Sequence, residues 1–202
     1  MNLFDNEQNI IKFDLPDADV VLYQNFFNKQ ESNEFFKKLK NDIEWRQDKM
    51  KIYGNEINLP RLTAWYGDND KNYTFSGITL NPKNWTNELI DIKNIVEQVS
   101  SYKFNSVLLN LYRNGKDSIS WHTDAEPELG KNPVIVSVSF GANRKFQLRH
   151  KLKKDVDTVS MDLTHGSLLI MKGTTQHFWQ HQIPKTNENN NERINLTFRK
   201  IL

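Results

Sequence analysis

The chain has 202 residues, 37% of them hydrophobic and 26% charged, enough to enclose one hydrophobic core, and it reads as a single domain over residues 1–202. The absence of cysteine excludes disulfide scaffolds, zinc fingers, iron–sulfur clusters and thiol nucleophiles, so any metal must be held by imidazole nitrogen and carboxylate oxygen. Lys and Arg number 27 against 25 Asp and Glu, so no global basic field announces a nucleic-acid binder, although a local patch is compatible with that balance.

No run approaches the roughly eighteen apolar residues of a membrane helix. The opening MNLFDNEQNI lacks the basic-then-apolar order of a secretory signal. The expectation is a cytoplasmic protein without a membrane partner.

Residues 1–18 read as an N-terminal extension. From Asn28 to Trp45, Phe35, Phe36, Leu39 and Ile43 recur at helical spacing, and Asn28 with Glu31 forms a capping-box pattern at the start. The stretch from Ile52 to Phe75 is rich in Tyr and Trp. A second helix is predicted from Trp85 to Val99, where Leu89, Ile92, Ile95, Val96 and Val99 make one apolar stripe.

After Tyr102 the hydrophobic period changes from 3.6 to 2. Val107 to Tyr112, Val134 to Phe140, Phe146 to His150, Ser167 to Met171 and Arg193 to Arg199 read as strands separated by turn residues such as Asn114-Gly115. The Asn-rich run from Thr186 to Glu192 reads as a solvated loop. Helices followed by strands predict an α+β fold, with helices packed outside a mainly antiparallel sandwich or barrel.

Two features carry chemistry. On the last strand Arg193, Asn195, Thr197 and Arg199 share one face, while Ile194, Leu196 and Phe198 share the other. Two guanidinium groups on one face can hold a dicarboxylate or a phosphate. The second feature is His122-Thr123-Asp124: in an extended segment residues two apart point the same way, so an imidazole and a carboxylate can converge on one ion.

A third ligand must come from elsewhere, and His181 and His177 are the candidates. Two His and one Asp form the facial triad of non-haem Fe(II) oxygenases, with three positions open. A 2-oxo acid can fill two of these, and dioxygen the third, while an Arg holds the far carboxylate. A His-x-Asp triplet alone is a frequent chance pattern; its combination with a later His, a later Arg and period-2 strands makes one coherent site. His150 and His165 lack that context and read as structural.

The sequence resembles the AlkB-type Fe(II)- and 2-oxoglutarate-dependent dioxygenases that dealkylate nucleic acids. The resemblance runs from about Asp19 to the C-terminus. It rests on Tyr73-Thr74-Phe75-Ser76-Gly77, Asn110-Leu111-Tyr112, His122-Thr123-Asp124-Ala125-Glu126, Ser137-Val138-Ser139-Phe140-Gly141-Ala142, Arg149-His150-Lys151, His165-Gly166-Ser167-Leu168, Trp179-Gln180-His181 and the segment from Arg193 to Arg199. It implies a double-stranded β-helix, or jelly roll, with the N-terminal helices outside it. It also implies His122, Asp124 and His181 as iron ligands at the catalytic centre, which leaves His177 aside.

Asn110, Tyr112, Arg193, Thr197 and Arg199 would then contact 2-oxoglutarate, Asn195 sharing their face, with Arg193 paired to the distal carboxylate. Residues 45–80 would form the nucleotide-recognition region. There Tyr73, Thr74 and Phe75 line the base pocket, Arg61 adds a contact, and Tyr53, in Ile52-Tyr53-Gly54, sits where related enzymes place a wedge. Glu126 would meet the polar edge of the base, while Ala125 stands where related enzymes often carry an acid.

The implied activity is oxidative demethylation of bases such as 1-methyladenine and 3-methylcytosine, DNA being favoured over RNA. Fe(II) and 2-oxoglutarate are the cofactors, O2 the co-substrate and formaldehyde a product; the protein is expected to be a monomer. The alternatives are a hydroxylase of the same chemistry acting on a small molecule or protein, and a catalytically silent nucleic-acid binding module. The latter has no physical need of three convergent ligands.

Overall fold

A computed structural model describes residues 10–52, 54–68, 73–75, 78–80, 82–188 and 191–202, with the side chains of residues 51, 52, 73–75 and 78–80 outside the description. The chain begins with β1 (Ile10–Phe13), β2 (Asp19–Tyr23) and α1 (Lys29–Asp42). It continues through β3 (Lys49–Ile52), β4 (Asn55–Asn58), β5 (Leu62–Gly67), β6 (Tyr73–Phe75), β7 (Ile78–Leu80) and α2 (Asn87–Ser100). Then follow β8 (Ser106–Tyr112), β9 (Ile119–His122), a 3-10 turn (Pro127–Leu129), β10 (Ile135–Gly141), β11 (Arg144–His150), β12 (Val159–Leu163) and β13 (Ser167–Lys172). The short α3 (Thr175–Phe178), β14 (Trp179–Ile183) and β15 (Arg193–Arg199) complete it.

The helix ends follow from local chemistry. Asn28 accepts a hydrogen bond from the Glu31 backbone N–H, and the Glu31 carboxylate accepts one from the Asn28 N–H, both at 2.9 Å, so the expected capping box is formed. α1 stops at Asp42, before the expected Trp45. Ile43 turns extended, and the Trp45 indole N–H donates back to the Lys40 carbonyl. α2 starts after Thr86, whose hydroxyl accepts from the Leu89 N–H, and ends where Ser101 adopts a left-handed conformation.

The strands form a seven-stranded sheet of order β1-β2-β13-β10-β15-β8-β5 and a four-stranded sheet of order β12-β11-β14-β9, antiparallel throughout, with two separate hairpins, β3-β4 and β6-β7. Two layers of antiparallel strands linked in this order make the jelly roll that the resemblance implied. Ile10–Phe13, within the segment read as an extension, pairs with β2 at the edge of the larger sheet. No described helix is long and apolar enough to cross a membrane.

The larger sheet is covered on both faces. On its outer face Val107, Val138, Phe140, Ile194, Leu196 and Phe198 pack against Leu39 of α1 and Leu89, Ile92 and Val96 of α2. On its inner face Leu108, Ile135, Leu169 and Met171 meet Phe146, Leu148, Trp179 and Ile183 of the smaller sheet. Every residue of β15 is consequently buried. Its apolar row enters the helix-covered core, and its polar row, Arg193, Asn195, Thr197 and Arg199, lines the space between the sheets.

Candidate active site

Strand pairing assembles the centre. β9 and β14 lie side by side with His122 opposite His181, so the two imidazoles come together with ring centroids 4.1 Å apart. Asp124 lies two residues past His122, just beyond the end of β9. One nitrogen from each His and one Asp124 oxygen all lie within 4.8 Å of one another, an arrangement that could hold a metal ion; among the described residues this is the one such group.

The hydrogen bonds fix which atoms face the centre. His122 Nδ1 lies 2.8 Å from the Ser120 carbonyl, which can only accept; Nδ1 therefore carries the proton and Nε2 keeps its lone pair. His181 stacks on Phe146 with centroids 5.2 Å apart and places Nε2 3.8 Å from Asp124 Oδ2. Arg199 Nη2 donates to Asp124 Oδ1 at 2.7 Å, leaving Oδ2 toward His181.

These surroundings set the charge states. Burial, with His122 beside it, pushes His181 down to about 3, and burial likewise lowers His122. Burial alone would raise the Asp124 carboxyl, but the Arg199 guanidinium, helped by the two imidazoles, outweighs it and holds Asp124 at about 2. At neutral pH the group is thus two neutral imidazoles and one carboxylate, the protonation states in which all three are ligands.

The triad opens on a small cavity that is lined, away from the three ligands, by apolar Leu108, Ile119, Phe146, Met171 and Ile183 and by the polar row of β15. Arg193 closes its far end. This residue is 1% exposed; Nη2 donates to Ser139 Oγ at 2.9 Å, and the guanidinium lies 5.1 Å from the centroid of the Tyr112 ring. Its Nε and Nη1 are buried without a well-formed hydrogen-bond partner among the described residues, and burial lowers its pKa to about 10.

A buried, half-satisfied guanidinium is costly unless an anion completes it. That fits a dicarboxylic 2-oxo acid whose far carboxylate meets Arg193. The N, N, O donor set at the other end suits a facially bound Fe(II).

The remaining polar residues form one network. Asn195 Nδ2 donates to Ser137 Oγ at 2.7 Å, and Thr197 Oγ1 donates to Asn195 Oδ1 at 3.1 Å. Asn110 and Tyr112 line the same cavity from β8. Arg61, expected among the substrate contacts, is 3% exposed and donates to Asn110 Oδ1 at 2.7 Å and to the Ser118 carbonyl at 3.2 Å, which puts it behind Asn110.

Glu126 follows the ligand strand, with Oε2 buried and without a hydrogen-bond partner among the described residues. Tyr73, Thr74 and Phe75 form β6, of which only the backbone is described, and Tyr53 lies outside the described residues.

The other histidines separate cleanly. His177 is exposed on α3 and is not one of the three grouped side chains. His150 Nδ1 accepts from the Leu152 and Lys153 N–H groups, and His165 Nδ1 accepts from the Gly141 N–H, as structural residues do.

Sequence reasoning missed two supports of the site. Ser139 faces the cavity side of β10, a signal present in the Ser137, Ser139 alternation. Gln176 of α3 accepts from the Asp124 N–H at 2.9 Å, and no local pattern announced it.

Residues 19–199 match the model of the 2OG-Fe(II) oxygenase superfamily. The chain is 43% identical over 190 residues to the Homo sapiens protein "Alpha-ketoglutarate-dependent dioxygenase alkB homolog 3", the match covering 90% of this chain and 66% of that protein. It is 40% identical over 189 residues to the Mus musculus "DNA oxidative demethylase ALKBH2", covering 89% and 79%. The chain thus spans 66% of the length of alkB homolog 3.

Among solved structures, that titled "The structure of OsALKBH1" superposes with a TM-score of 0.64 over 95% of this chain and 99% of that one, at 17% identity. A prolyl hydroxylase from Trichoplax adhaerens superposes at 0.61 over 90% and 83%, at 15% identity. At such identities these two establish the fold alone. Taken with the family match and the identity to both curated relatives, the site places this chain in the 2OG-Fe(II) oxygenase superfamily and, within it, among the AlkB-type dioxygenases.

Proposed function

We propose that the protein is an Fe(II)- and 2-oxoglutarate-dependent dioxygenase that oxidatively demethylates N-alkylated bases of the 1-methyladenine and 3-methylcytosine type in DNA. The observation that carries this reading is the buried Arg193, incompletely hydrogen-bonded, facing the same cavity as His122, Asp124 and His181. One end of that cavity suits a metal, the other suits a carboxylate, and the space between them suits the cosubstrate. The names of the curated relatives support the substrate class.

His122, Asp124 and His181 would hold the ion through two imidazole nitrogens and one carboxylate oxygen. When bound, Fe(II) with 2-oxoglutarate and O2 supplies the oxidising power that inserts one oxygen atom into a C–H bond of the N-methyl group, with succinate and CO2 as the other products. The resulting N-hydroxymethyl group loses formaldehyde and restores the base.

The chain's own residues bind, orient and exclude. Arg193 takes the distal carboxylate, its plane set by Ser139 and the Tyr112 ring, and Asn110, Asn195, Thr197 and Arg199 complete the polar wall. The apolar lining keeps bulk water from the reacting centre. An alkylated base must leave its stack to reach such a recessed centre. Residues 45–80 form the recognition region, in which Tyr73, Thr74, Phe75 and Tyr53 offer contacts, and Glu126 presents a carboxylate to the polar edge of the base.

The test is formaldehyde release from methylated oligonucleotides in the presence of Fe(II), ascorbate and 2-oxoglutarate, run across DNA and RNA strands. Release is expected from 1-methyladenine or 3-methylcytosine in DNA, and Asp124→Ala should abolish it without unfolding the chain. Absence of turnover on every strand, with iron demonstrably bound, would overturn the substrate assignment.

A further inference from the structure

The two histidines owe their positions to the sheet: His122 and His181 are direct partners across β9 and β14. Asp124 has no such support. It follows the end of β9 in a stretch without regular structure that runs to the 3-10 turn at Pro127, so no strand ladder fixes its peptide. It is nevertheless 2% exposed. Its backbone N–H must therefore find an acceptor inside the protein.

That acceptor is Gln176 Oε1, at 2.9 Å. Since a backbone N–H can only donate, the amide oxygen, not the amide nitrogen, must face Asp124, and the orientation of the side-chain amide is determined. Gln176 is itself 1% exposed, and its Nε2 points at Met171 Sδ, 3.7 Å away on the cavity wall. α3, which carries it, is pinned by Thr175 Oγ1, which accepts from the Asp19 N–H and donates to the Lys172 carbonyl.

We infer that Gln176 is the positioning residue for the Asp124 ligand. Its amide oxygen takes the place of the missing strand partner, sets the Asp124 peptide, and so aims the carboxylate. Arg199 fixes one carboxylate oxygen, Gln176 fixes the backbone, and together they leave Oδ2 directed at His181. Groups that orient a ligand from behind typically change metal affinity by about 10- to 100-fold when removed. The inference rests on reading His122, Asp124 and His181 as a metal site.

The experiment uses the full chain and Co(II) as the probe, following affinity and the visible absorption spectrum, which reports ligand geometry. Gln176→Met keeps the length and removes the oxygen acceptor; Gln176→Glu keeps an oxygen in place. Gln176→Met is expected to bind Co(II) about tenfold more weakly with an altered spectrum, and Gln176→Glu to return to within about threefold of the wild type. Wild-type affinity and spectrum in Gln176→Met would overturn the role, as would equal losses in both variants, which would mean that packing and not the acceptor matters.

Should Gln176→Met fail to fold, hydrogen exchange on the wild-type chain decides: a slowly exchanging Asp124 N–H is expected, and a fast one would overturn the proposal. Failure of the wild type to bind Co(II) at all would instead strike the metal-site reading beneath it.

Discussion

Burying a guanidinium is tolerated only where something else completes its hydrogen bonds, and Arg193 has Ser139 and the Tyr112 side chain, while its Nε and Nη1 lack a well-formed partner among the described residues. Its removal should therefore be felt by the cosubstrate first. Arg193→Ala is expected to raise the 2-oxoglutarate KM by about 10- to 100-fold, the loss of a charge-assisted fork. Arg193→Lys should recover part of it, and binding of methylated DNA should be unaffected. Unchanged 2-oxoglutarate dependence in a steady-state titration would remove Arg193 from the site. The alternation of residues 193–199 puts two guanidinium groups on one face, a pattern that an ordinary solvated strand face also produces; its combination with the His-x-Asp triplet and a later His is what singles out Arg193. His181 was harder: composition and spacing left it level with His177, and only the resemblance separated them. In the structure the difference is one of element, since β14 begins at Trp179 and leaves His177 on α3.

The strands that carry the polar walls, β8, β10 and β15, read well because they are long and alternate strictly; β15 begins and ends where its pattern does. β9 and α3 have four residues each and β14 has five, too short for a period to show, and β1, β2 and β12 were not distinguished from their surroundings. Gln176 stayed hidden for a different reason. Its partner lies 52 residues away, and no local pattern encodes such a bond. Glycine at the end of β10 illustrates how closely the elements fit. Gly141 has φ +93°, pairs with Arg193, and a methyl group there would run into the Glu192 carbonyl oxygen and come within 2.7 Å of the Phe36 ring. Gly141→Ala should thus lower stability by about 2 kcal/mol or more, from left-handed strain together with overpacking. It should also weaken 2-oxoglutarate binding, because the start of β15 must shift. Chemical denaturation and a 2-oxoglutarate titration check the two halves separately.

Acid should loosen the whole molecule through its centre. His181 titrates at about 3 when folded against an ordinary 6.5, so the unfolded chain takes up a proton first as pH falls, and stability declines progressively from about 6.5 down to about 3. His122 shifts in the same direction. Asp124, held at about 2 against an ordinary 3.8, contributes stability above 3.8 that is lost as pH falls toward 2. Every sign agrees, so the metal-free protein should show a melting temperature that falls steadily below pH 6.5. A melting temperature flat from pH 6.5 to 4 would contradict the buried, neutral state of the imidazoles.

β9 occupies the outer edge of the four-stranded sheet, and its register against β14 shifts between the two paired positions. An edge strand with so irregular a ladder is among the first parts of a fold to open. It nevertheless carries His122 and leads directly into Asp124, whereas His181 sits on the inner neighbour. An ion shared by the three would act as a rivet through the seam of the smaller sheet. Capturing the metal and closing that seam would then be a single event, and a protease that cuts the chain between Arg113 and Gly130 would report, by the protection it meets, how many molecules are loaded.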